Sequence, residues 1–98
     1  MRAGVRTLYR APSPLREMNF FYTYVLLCAD GHFYGGYTSD LRQRLKQHQA
    51  GEVPSTQPRL PVKLVYYEAC LSEKAAISRE KQLKTGFGRA YLNRRLSD

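Results

Sequence analysis

Ninety-eight residues with 43% hydrophobic side chains suffice for one small domain with a single modest core, so one globular domain is expected rather than two or a disordered chain. Lys and Arg number 16 against 8 Asp and Glu, and a net charge of +8 on so short a chain points to a polyanionic partner, nucleic acid first; the plainer reading is a basic face kept for solubility. No apolar run approaches the roughly 18 residues of a membrane-spanning helix and no signal-peptide pattern is present, so a cytoplasmic protein with no membrane partner is expected.

Residues 1–18 carry Arg2, Arg6, Arg10 and Arg16 against Glu17 alone, are broken by Pro12 and Pro14, and lack an apolar period. They read as a flexible basic leader ahead of a domain spanning residues 19–98. From Phe20 to Cys28 a run of aromatic and β-branched residues meets the turn signal Ala29-Asp30-Gly31-His32, and Phe33 to Thr38 resumes strand character, which predicts a β-hairpin. Ser39 or Asp40 can cap a helix from Leu41 to about Ala50 that stops at Gly51. A proline-bearing loop follows to Pro61, then a strand from Val62 to Ala69. Ser72 can cap a second helix that runs through Lys84, and Gly86 and Gly88 interrupt the chain before a short last helix carrying Tyr91 and Leu92. The order β-β-α-β-α-α predicts an α+β fold: a small, mainly antiparallel three-stranded sheet with helices packed on it. Cys28 and Cys70 are too few and too far apart for a zinc site and read as small buried hydrophobes.

Two helices carry a residue that does not suit its face. Positions 0, 3, 4 and 7 share a helical stripe, so Leu41, Arg44, Leu45 and His48 face the core while Arg42, Gln43, Lys46 and Gln47 point away. An arginine and a histidine thus lie on a packing face, where the structural reading is a snorkelling Arg beside a satisfied, half-buried His. On the second helix Glu80 lies between Ala76 and Leu83 on an apolar stripe. Burying a lone carboxylate costs several kcal/mol, so Glu80 needs a partner, either Arg44 in a structural ion pair or a metal ion.

The hairpin holds the tripeptides Tyr22-Thr23-Tyr24 and Tyr34-Gly35-Gly36, and the basic helix follows. This arrangement resembles the core of the GIY-YIG nucleases, matching at the tyrosines and the last glycine. The resemblance covers roughly Phe20 to Lys84 and is nearest to the small stand-alone bacterial members. The family carries an arginine on the helix after the second tripeptide and a glutamate on a later helix; Arg44 and Glu80 match, and both were singled out by periodicity. If Tyr24 and Tyr34 serve one site they must share a face. A two-residue turn at Asp30-Gly31 would pair Leu27 with Tyr34 and separate them, whereas an odd loop or a bulge pairs Tyr34 with Leu26 and brings them together. The second register is expected. Gly35 stands where many members have Ile or Val, Tyr37 where some have Lys, and Asn93 is the candidate for the family's late asparagine.

The resemblance implies hydrolysis of DNA phosphodiesters, with RNA as a possible partner, and a part in DNA repair or processing. The expected catalytic set is Tyr24, Tyr34, Arg44, His48 and Glu80. Glu80 is the expected ligand of Mg²⁺ or Mn²⁺, and no small-molecule cofactor is expected. Arg44 suits the charge that develops on phosphate. The base is shared between a tyrosine and His48, because free Tyr, with a pKa of about 10, is scarcely ionised at pH 7. Arg42, Lys46, Arg79, Lys84, Arg89, Arg94 and Arg95 are the expected nucleic-acid contacts, directed by structure rather than sequence. The competing function is a non-catalytic nucleic-acid-binding protein on the same fold, which the carboxylate of Glu80 disfavours.

Overall fold

Two antiparallel ladders share one strand. In a computed structural model that describes residues 19–97, with the leader read at residues 1–18 lying outside them, the sheet order is β2-β1-β3. Its strands are β1 (Phe21–Leu27), β2 (Phe33–Thr38) and β3 (Lys63–Cys70). Helix α1 (Leu41–Gln49) follows β2, a single 3₁₀ turn (Gln57–Arg59) sits in the proline-bearing loop, and α2 (Glu73–Leu83) and α3 (Gly86–Leu96) end the chain. This is the α+β order expected. Among the described residues no helix is long and apolar enough to cross a membrane.

The hairpin closes with Leu27 opposite Phe33, so its loop runs from Cys28 to His32 and is odd in length. Within it the Gly31 N–H donates to the Cys28 carbonyl, and Gly31 takes φ +83°, a conformation that favours glycine. Leu26 therefore pairs with Tyr34 and Tyr24 with Gly36. This is the register that places both tyrosines on one face.

Because neighbouring strand residues point to opposite faces, β1 divides the interior into two. Tyr24, Leu26 and Cys28 pack with Val62, Leu41, Leu45 and Leu60 beneath α1. Val25 packs with Leu83, Leu92, Tyr66 and Tyr91 beneath α2 and α3, and the buried Thr23 hydroxyl donates to the Ala76 carbonyl at 2.9 Å. The β1–β3 ladder shifts at Val25/Leu26, where Tyr66 and then Leu64 are the partners and Val65 is passed over. Tyr67, opposite Tyr24, thus lies on the α1 side, while Glu68, opposite Thr23, lies on the α2 side.

The helix ends follow the side chains available. Asp40 caps α1 through Gln43 N–H, and Ser72 caps α2 through Ala75 N–H. Gly51, at φ +78°, ends α1 with the paired bonds Gly51 N–H to His48 O and Glu52 N–H to Gln47 O. The expected interruption at Gly86 and Gly88 is corrected: Thr85 caps α3 through Gly88 N–H, and both glycines lie in its first turn. Gly88 is there for packing, since a Cβ would collide with the backbone of Gln82 and Leu83 at the end of α2. Cys28 is buried as expected, but Cys70, at the strand's end, is only half-buried.

Candidate active site

Strand β1 sends Tyr24 beneath α1, and the cross-strand Gly36 makes room for it: a Cβ on Gly36 would stand 2.5 Å from the Tyr24 hydroxyl. Helix α1 brings Arg44 and His48 to the same place, one turn apart, as the stripe requires. Tyr24 Oη lies 2.9 Å from His48 Nε2, and His48 Nδ1 lies 2.8 Å from Thr56 Oγ1. The Thr56 hydroxyl is directed to the Val53 carbonyl, so it accepts from Nδ1–H. The tautomer assigned from this pattern leaves Nε2 as the acceptor for the Tyr24 O–H.

Both ionisable partners are held in their neutral forms. His48 is 0% exposed, and burial, followed by the nearby Arg44 charge, lowers its pKa below 6.5. Burial raises the Tyr24 pKa above 10; the Arg44 hydrogen bond and charge oppose the rise, and Tyr34 and Glu80 add to it. Arg44 Nε donates to Tyr24 Oη at 3.4 Å and Nη1 to Gln47 Oε1 at 3.1 Å. Tyr34 completes the cluster, with its ring 5.4 Å from the His48 ring and its hydroxyl accepting from Ser55 Oγ at 3.2 Å. An open groove of about 310 Å³ reaches Arg44, with Tyr37, Thr38, Asp40, Gln43 and Gln47 as its other walls.

Glu80 approaches from α2. Its side chain is 17% exposed and bonds Lys84 Nζ at 2.6 Å, four residues on. Of the two partners open to Glu80, Arg44 does not supply the ion pair: Lys84, four residues on, takes the carboxylate, while Arg44 bonds Tyr24 and Gln47. Tyr37 donates to Glu73 Oε2 at 3.3 Å; the Glu73 charge leads in raising its pKa, and Glu80 adds to it. Gly35 lies beneath the Lys84 stem, and the strand remains paired through it. Among the described residues no three His, Cys, Asp or Glu side chains cluster to cage a metal. A single half-buried carboxylate fits Mg²⁺ or Mn²⁺ held jointly with water and a substrate phosphate, the arrangement Mg²⁺ usually adopts.

The basic residues divide. Arg42 and Lys46 are exposed on the outer face of α1, and Arg94 is exposed on α3. Arg89 lines a groove with Gly31, His32, Phe33 and Asn93, so Asn93 stands by the hairpin turn rather than in the Tyr24 cluster. Arg79, expected to touch nucleic acid, is committed internally: Nε reaches both Glu68 oxygens at 3.0 Å, Nη2 reaches Oε2 at 2.8 Å, and Nη1 reaches Gln82 Oε1 at 2.8 Å. Its guanidinium also lies 4.8 Å from the Tyr91 ring centroid, with that of Arg95 at 5.8 Å. Thr56 and Gln47 went unforeseen. The only signal for Thr56 was general: a buried imidazole needs a partner for each nitrogen.

Residues 20–95 match the family model described as GIY-YIG catalytic domain. The chain is 51% identical over 75 residues to a UPF0213 protein of Streptococcus sanguinis, covering 76% of this chain and 86% of that one. It is 48% identical over 65 residues to a UPF0213 protein of Lacticaseibacillus paracasei, covering 65% and 73%. A solution NMR structure of a UPF0213 protein from Bacillus halodurans is similar at 34% identity with a TM-score of 0.49, covering 74% of this chain and 81% of that one.

Proposed function

The chain belongs to the GIY-YIG family of nuclease domains, and on that premise we propose that it is a metal-dependent endonuclease hydrolysing DNA phosphodiesters, directed by structure rather than sequence and serving DNA repair or processing. The observation that carries this reading is the buried chain from Tyr24 Oη through His48 to Thr56. A phenol alone is a poor base at neutral pH. A neutral imidazole behind it supplies the missing proton acceptor. As water attacks phosphorus, its proton goes to Tyr24 Oη while the Tyr24 proton passes to His48 Nε2, so the tyrosine is neutral before and after the step. The leaving alkoxide takes its proton from solvent.

Arg44, donating to the same hydroxyl and lining the groove, binds the non-bridging phosphate oxygens and stabilises the charge that develops on them. Glu80 would hold Mg²⁺ or Mn²⁺, which when bound neutralises phosphate and leaving-group charge. Lys84, once released from Glu80, is a phosphate contact on the same flank. Arg42, Lys46, Arg89, Arg94 and Arg95 hold the backbone, which positions a strand without reading its sequence.

The Glu80–Lys84 ion pair supports a second reading, a nucleic-acid-binding domain without turnover, because it satisfies the carboxylate with no metal. The deciding experiment is cleavage of labelled single-stranded, nicked and branched DNA, and the matching RNA, with Mg²⁺ or Mn²⁺. Wild type and Glu80→Ala are compared, with binding followed in parallel. Metal-dependent cutting by wild type and a loss of at least about 100-fold in Glu80→Ala with binding retained is expected. Binding without cutting by the wild type would leave the second reading.

A further inference from the structure

Beside α1, at the end of the sheet beyond Tyr24, one tyrosine is exposed and its neighbour only half-buried. Tyr22 and Tyr67 lie diagonally across the β1–β3 ladder, with ring centroids 6.1 Å apart and planes inclined at 57°. Tyr67 is 54% exposed, one of the few large apolar side chains so open among the described residues. The rings border an open groove of about 390 Å³ whose floor is Leu41, Leu45 and Leu64 and whose rim carries Arg42. A cross-strand aromatic pair stabilises a sheet by roughly 0.2–1 kcal/mol, but this accounts for the pairing and not for the exposure of Tyr67 or the groove beside the two rings.

We propose that Tyr22 and Tyr67, with Arg42, form a stacking site for an unpaired nucleobase flanking the phosphate held at Arg44. Three observations choose this occupant. The rings supply π-faces and the leucines an apolar floor, which suits the plane of a base of any sequence. The chain carries a net +8, and Arg42 stands exposed at the rim with Lys46 one turn along α1, which suits the attached phosphates. The groove also meets the Arg44 groove at Asp40, which lines both, so one strand can occupy the two in succession. The Asp40 carboxylate between them is occupied in capping α1 through Gln43 N–H. The site would make the protein favour unpaired or frayed strands over closed duplex, because a paired base cannot present its face to Tyr67.

This inference rests on nucleic acid being the substrate, and the test separates the two. Binding is measured in EDTA, to suppress cutting, for a short labelled single strand and for a strand of equal phosphate number whose sugars are abasic. Wild type, Tyr22→Leu, Tyr67→Ala and Tyr67→Trp are compared. Tyr67 is largely in solvent, so its replacement leaves the core intact; Tyr22→Leu keeps an apolar side chain on the sheet. Wild type should prefer the base-bearing strand. Tyr67→Ala should weaken that binding by roughly 5- to 150-fold, the effect of losing one base–aromatic stack, leave the abasic strand unaffected, and be rescued by Tyr67→Trp. Equal affinity of the wild type for both strands, or an equal loss on both in Tyr67→Ala, would overturn the stacking site alone. Failure of the wild type to bind either strand would remove the nucleic-acid reading with it.

Discussion

The molecule holds two tyrosine networks on opposite faces of one sheet, and they differ in what they do with charge. On the α1 face, Tyr24, His48 and Thr56 form a buried chain of neutral groups, and the Arg44 guanidinium beside them bonds Tyr24 and Gln47 and forms no salt bridge among the described residues. On the α2 and α3 face, Tyr66 donates to Glu68 and bonds Tyr91, while Arg79 grips the same Glu68 and stacks on Tyr91. In the second network each charge meets its opposite. A cation paired within the fold has little left for a substrate, whereas one that lines a groove beside a proton acceptor is available to an anion. The first network is the candidate for chemistry and the second is a clasp that fastens α3 to β3.

Removing one hydroxyl from each network breaks this comparison most sharply. Tyr24→Phe takes away the hydroxyl proposed to pass the proton of the attacking water to His48, and the rate of metal-dependent cleavage should fall by about 10²–10⁴-fold. It also leaves His48 Nε2 buried without a donor, at a cost of about 1–3 kcal/mol, so thermal unfolding must confirm that the variant is folded at the assay temperature. Tyr66→Phe removes a hydroxyl that Glu68 can spare, because Arg79 still occupies both carboxylate oxygens. Its cleavage rate should remain within about twofold of wild type, well short of the loss of a catalytic group. Equal losses in the two variants would end the distinction between site and clasp.

The clasp should be read in stability instead. Arg79→Ala removes a charge-assisted bidentate contact and a cation–π contact that are partly open to water, and solvent screening limits the expected loss to about 1 kcal/mol. In a domain of this size that lowers Tm by roughly 4–8 °C. Cleavage per folded molecule should not change, nor should affinity for a DNA strand. A fall in affinity with unchanged Tm would return Arg79 to the nucleic-acid surface that its charge alone first suggested.

How far the sequence revealed these networks depended on the range of the cause. Local causes were legible: Asp40, Ser72 and Gly51 set helix ends through neighbouring backbone, and the stripe Leu41, Arg44, Leu45, His48 put an arginine and an imidazole on a packing face before any contact was known. The register pairing Leu26 with Tyr34 was legible by a longer step, from the demand that two tyrosines share a face. What stayed hidden depends on residues far apart in the chain. Gly88 looked like a helix breaker because its role, the close approach of α3 to the end of α2, is visible only in space. Arg79 and Arg44 look alike as charges, and only the fold puts Glu68 beside one and Tyr24 beside the other. Thr56 lay in a stretch rich in prolines with nothing to distinguish it from its neighbours, and only the buried imidazole gives it a role.

The smallest effect, and the most specific to the α1 network, is in pH. His48 has its folded pKa depressed below 6.5, by burial first and by Arg44 second, while the unfolded chain keeps a value near 6.5. Between the two values the unfolded state binds more protons than the folded one, so stability rises with pH there. The His48 contribution is fully present above about pH 6.5 and is lost as pH falls through the folded-state value. The clasp has a carboxylate whose folded pKa is lowered as Arg79 and Tyr66 bond Glu68, outweighing the opposing effect of burial, so its contribution persists above the ordinary carboxylate range and is lost only at more acid pH. Thermal unfolding of the wild type should therefore weaken in two steps on acidification, the His48 step first. His48→Gln, which keeps a polar side chain without the titration, should lack the first step and keep the second, and the wild-type imidazole should titrate below 6.5 by NMR. An imidazole titrating above neutral pH would mean that His48 is mostly protonated there, and it could not then accept a proton from Tyr24.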